Sequence, residues 1–183
     1  WQTNGLTQIQ TISSTAEVVQ AAGDLKSATP SGSSITSFFD AVYKVQPKGS
    51  VFSDFVVVDS TNNGIVASMN AAWINQSFSG ENALSTVKDW TLPFSVVLPS
   101  NGILSPSQLA VLAGSPLQVG ANPTGLVLVG VLKIQDLTAI LNNPLNNRNA
   151  DVILLTLNDS TFTQMNPSQD TLTNIQVIPS SSQ

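Results

Sequence analysis

The sequence predicts an all-β chain: a β-sandwich, immunoglobulin-like or jelly-roll-like, with one or two short helices and an extended N-terminal strand. Three observations carry this. Ile65, Ala67, Met69, Ala71 and Trp73 alternate with Val66, Ser68, Asn70 and Ala72, the period of a strand with one buried face. Short runs rich in Val, Ile, Leu or Phe recur along the chain between clusters of Pro, Gly, Asn and Ser, as in sandwiches of many short strands. Residues 1–13 also alternate and carry no charge.

Taken in chain order, residues 1–13 are expected as an extended segment and residues 14–183 as a single sandwich domain. Ser14-Thr15-Ala16-Glu17 reads as a capping box before VVQAA, a short helix that Gly23 interrupts. Ser27 to Ser34, SATPSGSS, reads as a connection, and Phe38 to Val45 as a strand. Asp54 to Ile74 is expected as a β-hairpin turning at Asn63-Gly64, since both positions of a type I′ turn need positive φ. Further strands are expected at Thr91 to Leu98, Leu126 to Ile134, Val152 to Leu157 and Thr173 to Ile178. A second helix is expected from Ser105-Pro106-Ser107-Gln108, which offers an N-cap, a first-turn proline and a capping glutamine, to Gly114. Asn142 to Asn149 reads as a loop.

Composition narrows the function classes. Charged residues make up 9% of the 183, against about 25% in typical soluble domains. Ser, Thr, Asn and Gln, over a third of the chain, supply the polarity instead. No charge occurs from Ser60 to Gly80, from Trp90 to Leu132 or after Asp170. With eleven carboxylates and no histidine, few groups can make stability depend on pH. Such a surface suits either an acidic habitat or burial in an assembly. Six basic residues and a net charge of −5 leave no electrostatic footprint for nucleic acid. No run approaches the roughly 20 apolar residues of a membrane span. A first residue of Trp1 suggests removal of a secretory leader, hence an extracellular, cell-surface location.

Catalytic templates fail in turn. The absence of histidine and cysteine removes the Ser-His-Asp, Cys-His and zinc arrangements. Ser85-Thr86-Val87-Lys88 matches S-x-x-K but lacks its companion motifs. Asp59 to Gly64 starts like a calcium loop, yet Thr61 replaces a ligand and Asn70 the closing glutamate, so a hairpin turn explains it better. Gly125 and Gly130 have phosphate-loop spacing, but Val131 stands where the lysine should be. No catalytic residue, metal ligand or cofactor is assigned. The sequons Asn75-Gln76-Ser77 and Asn158-Asp159-Ser160 make Asn75 and Asn158 candidate sites for N-linked glycans.

In the N-terminal segment, Trp1, Thr3, Gly5, Thr7, Ile9 and Thr11 would share one face of a strand. An uncharged edge must be covered, by its own domain or by a neighbour. Donated to a neighbour, these residues form a donor strand that builds a head-to-tail homopolymer; Thr171, Thr173, Ile175 and Val177 are the alternative donor face. With its processed-looking start WQTNGLTQIQTIS, its sequons and no Cys or His, the chain resembles secreted surface-filament subunits of the thread type in the Sulfolobales. The resemblance implies a β-sandwich subunit, assembly by an N-terminal donor strand, and N-linked glycans. The leading expectation is thus a non-enzymatic filament or pilus subunit whose partners are identical subunits. A viral capsid or surface-layer sandwich and a secreted carboxylate-dependent enzyme are the alternatives.

Overall fold

The computed structural model describes residues 2–26, 30–77, 90–98, 104, 110–119, 122–133, 154–158, 161–166 and 171–176. Three helices open the chain, α1 (Gln2–Ser14), α2 (Ala16–Gly23) and α3 (Gly32–Val45). Five strands follow: β1 (Phe52–Asp59), β2 (Gly64–Ser68), β3 (Phe94–Leu98), β4 (Ala110–Val119) and β5 (Asn122–Leu132). They form one antiparallel sheet in the order β2-β1-β5-β4-β3. A second antiparallel sheet holds β6 (Leu154–Asn158), β7 (Thr161–Asn166) and β8 (Thr171–Gln176), in that order. The fold is therefore α/β, and the expected all-β sandwich is overturned by the helices at residues 2–45.

The N-terminal segment shows why. Its alternation is coincidental; the spacing that matters is Leu6, Ile9 and Ile12, one face of a helix. Ile9 and Ile12 are fully buried, with Leu6 packed beside them. The threonines stand four apart and bond backward along the helix: Thr7 Oγ1 donates to the Thr3 carbonyl (3.0 Å), Thr11 to Thr7 (2.9 Å) and Thr15 to Thr11 (2.9 Å). Gly5 lets α1 close on the sheet, since a Cβ there would lie 2.8 Å from a methyl carbon of Leu132. At the end of α1 the Ser13 hydroxyl meets that of Ser115 on β4 at 2.8 Å, a buried polar pair that sets the helix's position on the sheet.

Residues 38–45, expected as a strand, continue α3. Ile35, Phe38, Phe39, Val42 and Val45 recur at three- and four-residue steps and pack in the helix-side core. The Ser31 hydroxyl caps the helix, accepting from the Ser34 N–H at 3.1 Å. The helix expected after Ser14 is present as α2, with Val18, Ala22 and then Leu25 buried. The helix expected from Ser105 to Gly114 is corrected over residues 110–114; its capping residues 105–108 lie outside the described residues. Residues 110–119 form β4, held by β3 on one side and β5 on the other, and paired neighbours outweigh a local capping pattern.

The β1–β2 hairpin stands as expected, but its turn is longer. Asp59 pairs with Gly64, and Asn63 alone takes a positive φ, +56°. The Asp59 carboxylate accepts the Thr61 N–H and hydroxyl at 2.8 and 2.7 Å, which occupies it within the turn. β2 ends at Ser68, and Ala71–Trp73 form a 3-10 turn where a strand was expected.

The sheet separates two cores. On the helix side lie Phe52, Phe55, Val57, Ala67, Val111, Ala113, Leu117, Leu126, Leu128 and Leu132. On the other lie Val56, Val58, Ile65, Ala110, Leu112, Val127, Val129 and Val131. The register aligns them in rows: Val57, Leu128 and Ser115 face the helices, while the adjacent row Val56, Val129 and Gly114 faces away. Phe52, Phe55, Tyr43 and Phe39 link β1 to α3 through ring contacts of 5.1 to 6.4 Å.

At the edge of this aromatic contact lies Asp54, half-buried, its carboxylate accepting the Phe55 N–H at 2.8 Å. Burial raises its pKa, and that hydrogen bond opposes the rise in part. Tyr43 is raised as well, by burial first and then by the Asp54 charge. A carboxyl raised in the folded state binds protons there more readily than in the unfolded chain. Its stabilising contribution is complete below the unfolded aspartate value of about 3.9 and is lost as pH rises through the higher folded value. Asp54→Asn is accordingly expected to raise the melting temperature at neutral pH, with no gain in strong acid, when both proteins are melted across that range.

Candidate binding face

Among the described residues one feature is concave and another is apolar with an aromatic rim. The first is an open groove of about 380 Å³ between α2 and α3, lined by Glu17, Gln20, Asp24, Asp40 and Lys44 among others. Lys44 Nζ and Glu17 Oε1 form an ion pair across it at 2.9 Å. Both side chains are more than half exposed, where such pairs contribute about 0–1 kcal/mol. Lys44→Ala is expected to change stability by less than about 1 kcal/mol in urea unfolding. Among the described residues no group of three acidic, His or Cys side chains is placed to hold a metal ion.

The second feature is the face of the sheet turned away from the helices. Its centre is aliphatic and buried: Val56 and Val58 of β1, Leu112 of β4, Val127 and Val129 of β5. Trp73, Trp90, Phe94 and Val96, all partly buried, pack against it, and Leu104 joins it. The tryptophans arrive from opposite edges. Trp73 ends the 3-10 turn after β2, and that turn is tied to β2 by Ile65 N–H to the Gln76 carbonyl (2.9 Å) and Asn75 N–H to the Ile65 carbonyl (2.8 Å). Trp90 stands edge-on to Phe94 of β3 at 5.2 Å. Phe94 in turn lies over Gly114, its cross-strand partner on β4, where a Cβ would fall 2.3 Å from the ring. The arrangement is a sheet with short irregular segments beside its outermost strands bearing Trp73 and Trp90, a setting in which loops commonly carry recognition.

The sequence-derived candidates fall elsewhere. Thr3, Gly5, Thr7, Ile9 and Thr11, expected as one face of a donor strand, belong to helix α1, with Ile9 and Gly5 turned into the domain and Thr7 and Thr11 exposed. Trp1, the S-x-x-K run at 85–88 and Val177 lie outside the described residues. Asn75 is exposed at a left-handed backbone position, φ +67°. Asn158 ends β6, opposite Thr161. Thr171, Thr173 and Ile175 belong to β8, paired to β7. No helix among the described residues is long and apolar enough to cross a membrane. Sequence reasoning missed Trp73 and Trp90 as site residues; both occur within or at the border of the charge-free stretches 60–80 and 90–132, and that coincidence was the available signal.

The chain matches no protein-family model, and no curated protein matches it. Among solved structures, an extracellular ligand binding receptor from Desulfohalobium retbaense DSM5692 overlaps 87% of this chain at a TM-score of 0.48 and 12% identity. This chain spans 29% of that structure's length. So loose a likeness assigns neither fold nor function.

Proposed function

We propose that the chain is a non-enzymatic extracellular recognition domain that takes a small molecule on the sheet face opposite its helices. The observation that carries this reading is the packing of the partly exposed Trp73 and Trp90, each beside an outermost strand of the sheet, against one aliphatic core. Ligand sites are mostly apolar, with aromatic walls set on a rigid scaffold. Here the helices fill the other side of the sheet, and on this side the partly exposed Trp73, Trp90, Phe94 and Val96 border the second core. The exposed sequon at Asn75 supports an extracellular setting. A thermal-shift screen of small molecules tests the reading. A ligand at about a hundred times its Kd adds about 2.7 kcal/mol of stability, and Trp90→Ala should abolish the shift; a screen in which no compound stabilises the protein counts against it.

A second reading, a structural subunit of an extracellular filament, is favoured by one observation. The outer edge of β2 is closed by the chain's own Gln76 and Ser77, whereas among the described residues β3 pairs only with β4, and FSVVL carries no charge. Unguarded edges invite strand addition from another copy. The N-terminal donor strand is not the means, because those residues form α1. Electron microscopy of concentrated native protein showing regular polymers supports the filament; monodisperse particles alone exclude it.

A further inference from the structure

Asparagine followed by glycine is the step at which a peptide most readily attacks its own side chain, because glycine puts no Cβ in the way of the backbone nitrogen. The chain has three such steps, Asn4-Gly5, Asn63-Gly64 and Asn101-Gly102. The last lies outside the described residues. The fold sets the other two in opposite circumstances.

Asn4-Gly5 lies in the first turn of α1. Ring closure needs rotation about ψ of the asparagine, which the helix holds fixed. Gly5 is buried, and a methyl carbon of Leu132 stands 2.8 Å from where its Cβ would be, so this peptide has no room to turn. Asn4 Oδ1 also accepts from Gln8 Nε2 at 3.3 Å.

Asn63-Gly64 closes the β1–β2 hairpin. Asn63 is partly exposed and lies in the turn, outside the ladder, at φ +56°, a region that asparagine and aspartate tolerate better than most residues. Pairing resumes at Gly64, opposite Asp59. One contact restrains the step. The Gly64 N–H donates to Asn62 Oδ1 at 2.7 Å, and Asn62 Nδ2 donates to Asp59 Oδ2 at 3.4 Å. The exposed Asn62 side chain thus ties the nitrogen that has to attack to the carboxylate across the hairpin.

We propose that Asn63 is a site of spontaneous deamidation whose rate the Asn62 side chain restrains. The Gly64 nitrogen gives its proton to solvent and bonds to Asn63 Cγ. The Cγ–Nδ2 bond breaks, the side-chain nitrogen takes a proton from water and leaves as ammonia, and a cyclic imide remains. Water then opens the ring at one of its two carbonyls, giving aspartate when the new bond to Cγ is cut and isoaspartate when the original peptide bond is cut. The sum is one water consumed and one ammonia released, with no change of oxidation state. Either product sets a carboxylate in the charge-free stretch Ser60 to Gly80, close to Asp59. Isoaspartate also adds a backbone carbon where the hairpin closes.

The intact chain is held in mildly alkaline buffer while peptide mapping by mass spectrometry follows amide-to-acid conversion at each asparagine, with isoaspartyl methyltransferase labelling to mark the rearranged product. Asn63 is expected to convert while Asn4 stays intact. In urea, where the fold restrains neither, the two should convert at similar rates. Asn62→Ala, checked by circular dichroism for its fold, should speed conversion of Asn63 by about two- to tenfold, the range for one hydrogen bond lost. Asn62→Asp, which keeps an acceptor for the Gly64 N–H, should not exceed the parent rate. Conversion at Asn63 no faster than at Asn4 in the folded chain, or a preference for Asn63 that persists unchanged in urea, overturns the assignment of the site to the fold. A rate at Asn63 that Asn62→Ala leaves unchanged overturns the restraint.

Discussion

Replacing Ile12 by alanine is expected to lower the free energy of unfolding by about 2–5 kcal/mol, the range for large-to-small changes at fully buried aliphatic positions. Ile12 is wholly buried where α1 lies against the sheet. The residues around it cannot collapse freely into the space, because the Ser13 to Ser115 hydroxyl pair fixes the end of the helix to β4. Thr7→Ala, on the exposed face of the same helix, should stay within about 0.5 kcal/mol. Urea denaturation of the two variants beside the parent measures both. A segment that left its own domain to serve a neighbour would give a small effect at Ile12 as well as at Thr7.

The second large effect is expected from one added methyl group. In Gly114→Ala the new Cβ would stand 2.3 to 2.9 Å from three carbons of the Phe94 ring, well inside contact distance. The ring must leave its place over β4, and it takes with it the edge-on contact to Trp90 at 5.2 Å. Overpacking of this kind costs typically about 1–3 kcal/mol. Binding should suffer beyond that loss of stability, since the displaced aromatic pair is one wall of the proposed site. The two methyl groups added by Ala113→Val, on the helix side of β4, are expected to destabilise without altering probe binding in the fraction that stays folded. Melting curves of the two variants, and their titrations with the neutral fluorescent probe N-phenylnaphthylamine, separate these effects.

Much of the sheet was legible in the sequence, and the reasons are local. Asn63-Gly64 announces a reversal, and Asn63 indeed adopts positive φ. β3, β5, β6 and β8 coincide with runs of β-branched and aliphatic residues bounded by turn formers. β7 was not expected and residues 71–73 were expected as strand; three further elements were misread, each for its own reason. In α1 the threonines, Asn4, Gly5 and the serines are weak helix formers, and the spacing of Leu6, Ile9 and Ile12 betrays the helix. In α3 the run Phe38 to Val45 is β-like in composition but helical in spacing, with Phe38, Phe39 and Val42 buried together. Residues of β4 were read as the end of a helix from the capping pattern at Ser105 to Gln108 and from Gly114; in the strand, Pro116 is absorbed at an irregularity between Pro116 and Gln118.

The candidate site was visible only as an absence. The gaps in charge at 60–80 and 90–132 suggested acid tolerance or burial in an assembly. What the sequence could not show is that both gaps, separated by residues 81–89, contribute strands to one sheet. Pairing of β1 to β5 and of β5 to β4 brings Val56, Val129 and Gly114 into a single row. Long-range register of that kind is set by the folded sheet, not by any local pattern.

The most direct test is methyl-resolved nuclear magnetic resonance of the protein during addition of N-phenylnaphthylamine. Binding on the face opposite the helices should shift the methyl signals of Leu112, Val127 and Val129 and leave those of Ile9, Val57 and Leu128, on the helix side, in place. Shifts confined to the helix side, or to Ala21 and Ala41 in the groove between α2 and α3, would contradict it.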